Sequence, residues 1–170
     1  DAVETAVAWQ DAIERANGPS SLVLTRQALP AQPRQAGQIA AIRRGGYVLR
    51  DADRVDLILI ATGSEVALAV AAADALAAKG HGVRVVSMPC PTVFAAQDAA
   101  WREAVLPAAI RHRIAIEAGV TETWHRWVGT AGRVVGLDTF GKSAPAKDLF
   151  QHFGFTPERI AKEALELLGA

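Results

Sequence analysis

Residues 57–78 constrain the fold more than any other stretch of the chain. They open with the unbroken apolar run Leu57-Ile-Leu-Ile-Ala61, held between Asp56 and a turn. A strand buried on both faces has this pattern, and parallel sheets are built from such strands. Thr62-Gly-Ser-Glu65 then reads as a turn into a helix. Thr62 and Glu65 have the spacing of a capping box, with Ser64 as an alternative cap. Val66, Val70, Ala73 and Ala77 give that helix one apolar stripe. Gly80 and Gly82 stop it, and Val83-Arg-Val-Val86 opens the next strand. The unit is a βαβ crossover of the right-handed kind.

The alternation continues downstream. Tyr47–Arg50 reads as an edge strand before this unit, and Pro89 and Pro91 forbid continuation of the strand after it. A short helix over 98–106 carries Trp101, a strand covers 113–117, and 119–129 is helical with Trp124 and Trp127. Val134 and Val135 form a short strand, 138–144 is a polar loop, and a helix starts at Pro145 and runs to His152. Thr156-Pro-Glu158 supplies a cap, a first-turn proline and a first-turn carboxylate for a last helix ending at Leu168. Residues 47–170 are therefore predicted to be α/β, an open, mostly parallel sheet with helices on both faces.

Upstream the texture differs. Residues 1–16 read as a helix with Ala2, Ala6, Trp9 and Ile13 along one side, ended by Asn17-Gly-Pro19. Leu22–Thr25 reads as a short strand finishing at Arg26-Gln27. From 28 to 44 come two prolines, several glutamines and only Ile39 and Ile42 as large apolar residues, the composition of a linker with one helical turn near its end. One helix and one strand cannot bury a core. Residues 1–29 are thus expected to be the tail of a second, upstream α/β domain, and 30–46 a linker.

Eighteen basic and eighteen acidic residues leave no net charge, so nothing points to nucleic acid or an acidic membrane surface. The most apolar stretch holds Thr62, Ser64, Glu65 and Asp74, which is not a membrane span. The lone Cys90 excludes an internal disulfide and fits a reducing compartment, hence an expected cytoplasmic location. No signal peptide is visible, and a chain that opens at Asp1 instead of Met reads as a fragment or trimmed product.

Candidate chemistry is sparse. Gly136-Leu-Asp-Thr-Phe-Gly-Lys-Ser143 matches the phosphate-loop pattern between a strand and a helix. Phe140 puts bulk where backbone must wrap a phosphate, too little chain follows for a nucleotide-hydrolysing core, and no later strand ends in a magnesium-positioning aspartate. It reads as a strand-to-helix loop. Thr62-Gly-Ser64 lies where open sheets bind ligands, yet no Gly-x-Gly-x-x-Gly exists and tight-turn geometry accounts for Gly63. His81, His112, His125 and His152 lack metal-ligand spacing. Glu117 is either an acid–base group or a buried carboxylate capping a helix, and the two tryptophans fit packing better than stacking. Arg26, closing a strand, could hold a phosphate or carboxylate at the mouth of a cleft, or could simply be a solvated strand end.

Several segments, taken together and in order, resemble transketolase: residues 1–9, Thr25-Arg-Gln27, Arg44-Gly-Gly-Tyr-Val-Leu49, Ala61-Thr-Gly-Ser-Glu-Val66, Val85-Val-Ser-Met-Pro89, Ile116-Glu-Ala-Gly119 and Phe140-Gly-Lys-Ser-Ala-Pro145. The resemblance implies the end of the second thiamine-binding domain, the linker and the whole C-terminal domain of an enzyme that moves a two-carbon ketol unit from a ketose phosphate to an aldose phosphate in the pentose phosphate pathway. It implies thiamine diphosphate with Mg or Ca as cofactors of the intact, homodimeric enzyme. It also implies a sugar-phosphate contact for Arg26, the arginine of the matching Thr-Arg-Gln motif. The family's diphosphate and metal ligands, catalytic histidines and cofactor-activating glutamate lie in sequence outside this chain. The fragment alone is therefore expected to bind no cofactor and to be inactive. The alternative is a self-standing binding or dimerisation module that shares ancestry with the C-terminal domain.

Overall fold

The computed structural model describes residues 1–170. At its centre is β2 (Leu57–Ala61), every residue of which is buried. Its side chains divide between two cores by simple alternation. Leu57, Leu59 and Ala61 enter one, Ile58 and Ile60 the other. On either side of β2 run β3 (Val83–Ser87) and β4 (Arg113–Ile116), both parallel to it, and β5 (Arg133–Val135) adds parallel to β4. The edge strand β1 (Tyr47–Arg50) pairs with β3 antiparallel, with a register irregularity between Val48 and Arg50. The order is β1-β3-β2-β4-β5, which places a topological switch point between β2 and β4.

One face is covered by α3 (Val66–Ala77) and α8 (Pro157–Leu168). The buried side of α3 is Val66, Ala69, Ala72, Ala73 and Leu76. This corrects the predicted stripe, since Val70 is only half-buried and Ala77 is exposed. Small side chains settle the rotation: Ala69, Ala72 and Ala73 let the helix lie close to α8, which presents Ala161 and Ala164. The other face carries α4 (Pro91–Ala95), α5 (Ala99–Val105) and α6 (Glu122–Val128). There Phe94 packs on Trp127 with ring centroids 5.2 Å apart. Trp124 and Trp127 are core residues. The last elements are α7 (Ala146–Phe153) and α8, whose cap Thr156 accepts from the Arg159 N–H at 3.2 Å as its sequence signals.

Four local expectations are corrected. The helix predicted over 119–129 is confined to α6, because Gly119 and Thr121 are spent on the loop that bonds to Leu137 and Asp138. The short α4 was not anticipated; it begins at Pro91, whose fixed φ suits a first helical turn. The capping box of Thr62 and Glu65 does not form. Instead a 3-10 turn spans Gly63–Glu65, without a side-chain cap from Thr62. Gly63 holds φ at +55°, the conformation the tight turn needs.

The fourth concerns the N-terminal segment. A first helix, α1 (Ala2–Glu14), is present, but Leu22–Thr25 is not a strand: it finds no neighbour to pair with, and Val23 is 96% exposed. The predicted linker holds α2 (Ala36–Ile42) and joins β1 through Gly45. At Gly45 φ is +80°, and a Cβ would stand 2.5 Å from the Cys90 carbonyl oxygen.

Candidate functional site

Arg26 lies at the bend of the Thr25-Arg26-Gln27 turn. Thr25 Oγ1 accepts from the Gln27 backbone N–H at 3.3 Å and from Gln27 Nε2 at 3.1 Å. A threonine hydroxyl capturing the chain two residues on makes a closed local turn. Threonine and glutamine are thereby occupied with each other, and Arg26 is left exposed on the outside. Its guanidinium takes part in none of the ion pairs of the chain, which engage the Asp1 amino group, Arg34, Arg43, Arg44, Arg50, Arg54, Arg84, Arg133, Arg159 and Lys162. A forked cation outside the ion pairs, on an exposed turn, is suited to bidentate capture of an anion.

A short way along the chain lies a cluster that sequence reasoning missed. Arg34 is 2% exposed at its side chain and radiates to four partners. Nη1 donates to Asp1 Oδ2 at 2.6 Å and to the Gln32 carbonyl at 2.9 Å, Nε donates to Tyr47 Oη at 2.7 Å, and Nη2 lies 3.3 Å from Glu4 Oε1. Glu4 Oε1 also accepts from Tyr47 Oη at 2.6 Å and Ser87 Oγ at 2.5 Å. Burial, and then the Glu4 charge, push the Tyr47 phenol well above its ordinary range. No buried side-chain donor or acceptor of the chain is left without a partner. The cluster draws on α1, the linker, β1 and the end of β3, separations that no local pattern reveals.

This cluster stands over the carboxyl ends of β2 and β3. Asp1, Glu4, Leu29, Pro30, Gln32 and Arg34 line one small cavity together with Gly63, Ser64 and Val66. Open α/β sheets bind their ligands at the carboxyl ends of their strands, and here the first helix and the linker border that place. Gly63 itself stays exposed, with open space around it. Glu65 is buried, and its carboxyl is raised above the ordinary carboxylate range, first by desolvation and least by the charge of Glu117. Ser64 Oγ donates to Glu65 Oε1 at 2.7 Å. Glu117 accepts from Trp124 Nε1, a bond between strand end and helix that favours the structural reading of this carboxylate.

The phosphate-loop lookalike is likewise resolved. Residues 138–145 are exposed, and Phe140 is 98% exposed. At the base Asp138 accepts from the Thr121 N–H at 2.8 Å and from Thr121 Oγ1 at 2.9 Å, which ties the loop to the start of α6. No three His, Cys, Asp or Glu side chains converge as metal ligands. An apolar groove of about 180 Å³ between α2, β1 and α5 is lined by Ala41, Tyr47, Val48, Trp101 and Val105, with no charged group to orient a polar substrate. No helix is long and apolar enough to cross a membrane.

An open, mostly parallel sheet with its first helix fastened to β1 and β3 defines an α/β domain, with an arginine outside the ion pairs on the segment leading into it. Residues 45–156 match the family model described as transketolase-like TK C-terminal domain. The chain belongs to the transketolase family. It is 59% identical over 169 residues to transketolase 1 of Vibrio cholerae, a match covering 99% of this chain and 25% of that protein. Transketolase from Leishmania mexicana superposes with a TM-score of 0.91 at 39% identity, over 99% of this chain and 24% of that one. A Pichia stipitis transketolase described as a complex with sedoheptulose-7-phosphate also gives 0.91, at 36% identity and 24% of its length. The chain thus spans about a quarter of the length of these relatives.

Proposed function

We propose that this chain is the C-terminal portion of a ketol-transferring enzyme that passes a two-carbon unit from a ketose phosphate to an aldose phosphate. The observation that carries the reading is similarity running through 99% of the chain, so that it includes the segment before residue 45 as well as the C-terminal domain. In this reading residues 1–29 are the tail of an upstream thiamine-binding domain, 30–46 the linker and 47–170 the C-terminal domain. The side of α1 that carries Ala2, Ala6, Trp9 and Ile13 supports that division. It is exposed, while α1 buries Glu4 and Val7 towards the sheet. A helix apolar on a second, uncovered side, followed by exposed Val23 and Leu24, fits a body that lies elsewhere in the polypeptide.

The residues present offer no converging set of ligands for a Mg or Ca ion. When bound, thiamine diphosphate supplies the carbanion chemistry. In this reading the groups holding it belong to the remainder of the enzyme, which is a cytoplasmic homodimer. What this chain contributes is Arg26, which binds the phosphate of the sugar and orients it. In the full-length enzyme, Arg26→Ala is expected to raise KM for phosphorylated sugars by about 30-fold, equivalent to about 2 kcal/mol of lost charge-assisted binding. Steady-state kinetics with an unchanged KM would refute the role.

A further inference from the structure

The chemistry assigned to Arg26 makes no use of the sealed cluster of Asp1, Glu4, Arg34, Tyr47 and Ser87. We propose that this cluster is a positioning device for Arg26, with Arg34 as its hub. The inference rests on the reading of Arg26 as the phosphate anchor.

The path of the chain carries the argument. Arg26 lies in a turn that closes on itself between Thr25 and Gln27. Beyond Gln27 come Ala28 and then Leu29 and Pro30, which line one small cavity together with Gly63, Ser64 and Val66. Gln32 is then pinned at both backbone atoms. Its N–H donates to Asp1 Oδ2 at 2.9 Å, and its carbonyl accepts from Arg34 Nη1 at 2.9 Å. The far end of the tether is anchored to the sheet through Tyr47 in β1 and Ser87 in β3, both by way of Glu4. Between the self-closed turn and the pinned Gln32 there are thus only four residues, 28–31.

The chemistry of the hub suits this task better than it suits stability. Two carboxylates and one guanidinium taken out of water gain little over apolar packing of the same volume. What they supply is direction. The planar fork of Arg34 donates to Asp1, Gln32 and Tyr47 along separate N–H vectors and pairs with Glu4 at 3.3 Å, so that linker, helix and sheet have one register. An ammonium on a flexible stem cannot reproduce that set. Placing a cation against a phosphate to within a fraction of an ångström is what such a fixed register offers a substrate.

The test uses the full-length enzyme, with a phosphorylated aldose and its non-phosphorylated counterpart as acceptors. Three variants are compared: Arg34→Lys, Tyr47→Phe and Arg26→Ala. Arg34→Lys is expected to raise KM for the phosphorylated acceptor about tenfold while KM for the non-phosphorylated one stays the same. Tyr47→Phe, which removes one hydroxyl and keeps the ring, is expected to do so about threefold. It decides the matter if the lysine variant does not fold. Equal effects on both acceptors, or none on either, would overturn the positioning role even where Arg26→Ala is selective for the phosphorylated sugar. If Arg26→Ala treats the two acceptors alike, the phosphate reading itself fails and the positioning role falls with it.

Discussion

Glu4 in the first turn of α1 and Ser87 at the last position of β3 share a 2.5 Å hydrogen bond across 83 positions of sequence. The same carboxylate oxygen accepts from Tyr47, so one acidic side chain fastens the N-terminal helix to two strands of the sheet. A buried carboxylate with these partners is costly to lose, because each donor is then left in a dry site with nothing to donate to. Glu4→Ala is expected to lower unfolding stability by about 3 kcal/mol. Chemical denaturation measures it, and a loss below 1 kcal/mol would show that the partners find other acceptors.

Glu65 pulls stability the other way. Its carboxyl is raised above the ordinary value of 4.5, chiefly by desolvation. A carboxyl whose folded pKa exceeds its unfolded one contributes most at low pH. That contribution is present below about 4.5 and is lost as pH rises through the folded pKa, where the charge must form in a buried place. Glu65→Gln should therefore be more stable than the parent at pH 7, and its advantage should shrink towards pH 4. Thermal midpoints of the two proteins across this window check the sign. An advantage that grows on acidification would contradict it.

Lys142 belongs to an exposed loop with no phosphate cradle beneath it. Lys142→Ala should change stability by no more than about 0.5 kcal/mol. Titration calorimetry with a magnesium nucleotide should register no binding heat at millimolar concentration, for the parent as for the variant. Saturable heat abolished by the substitution would restore the nucleotide reading.

Trp9 is 54% exposed on the uncovered side of α1. If that side meets the body of an upstream domain, Trp9→Ala should cost about 3 kcal/mol in the full-length enzyme. In residues 1–170 by themselves the cost should stay within about 0.5 kcal/mol. Denaturation of both lengths compares the two, and equal small losses would argue against the proposed division at residues 29 and 46.

The apolar run Leu57–Ala61 was enough to announce a doubly covered strand, because period-two alternation sends its side chains into two cores whatever surrounds them. Caps such as Thr156, and breaks such as Pro89 and Pro91, were equally legible, being local chemistry written in adjacent residues. The family segments brought out Arg26, but its freedom from ion pairs could only be seen with every acidic side chain in place. The rotation of α3 escaped detection, since alanines carry little periodic signal and the close approach of α8 chose among them. So did the failure of Leu22–Thr25 to form a strand, for a strand exists only where another offers its backbone. The cluster around Arg34 lay furthest from reach. Asp1, Glu4, Arg34, Tyr47 and Ser87 are ordinary polar residues in sequence, and only the folding of helix, linker and sheet onto one point removes their water and makes them partners.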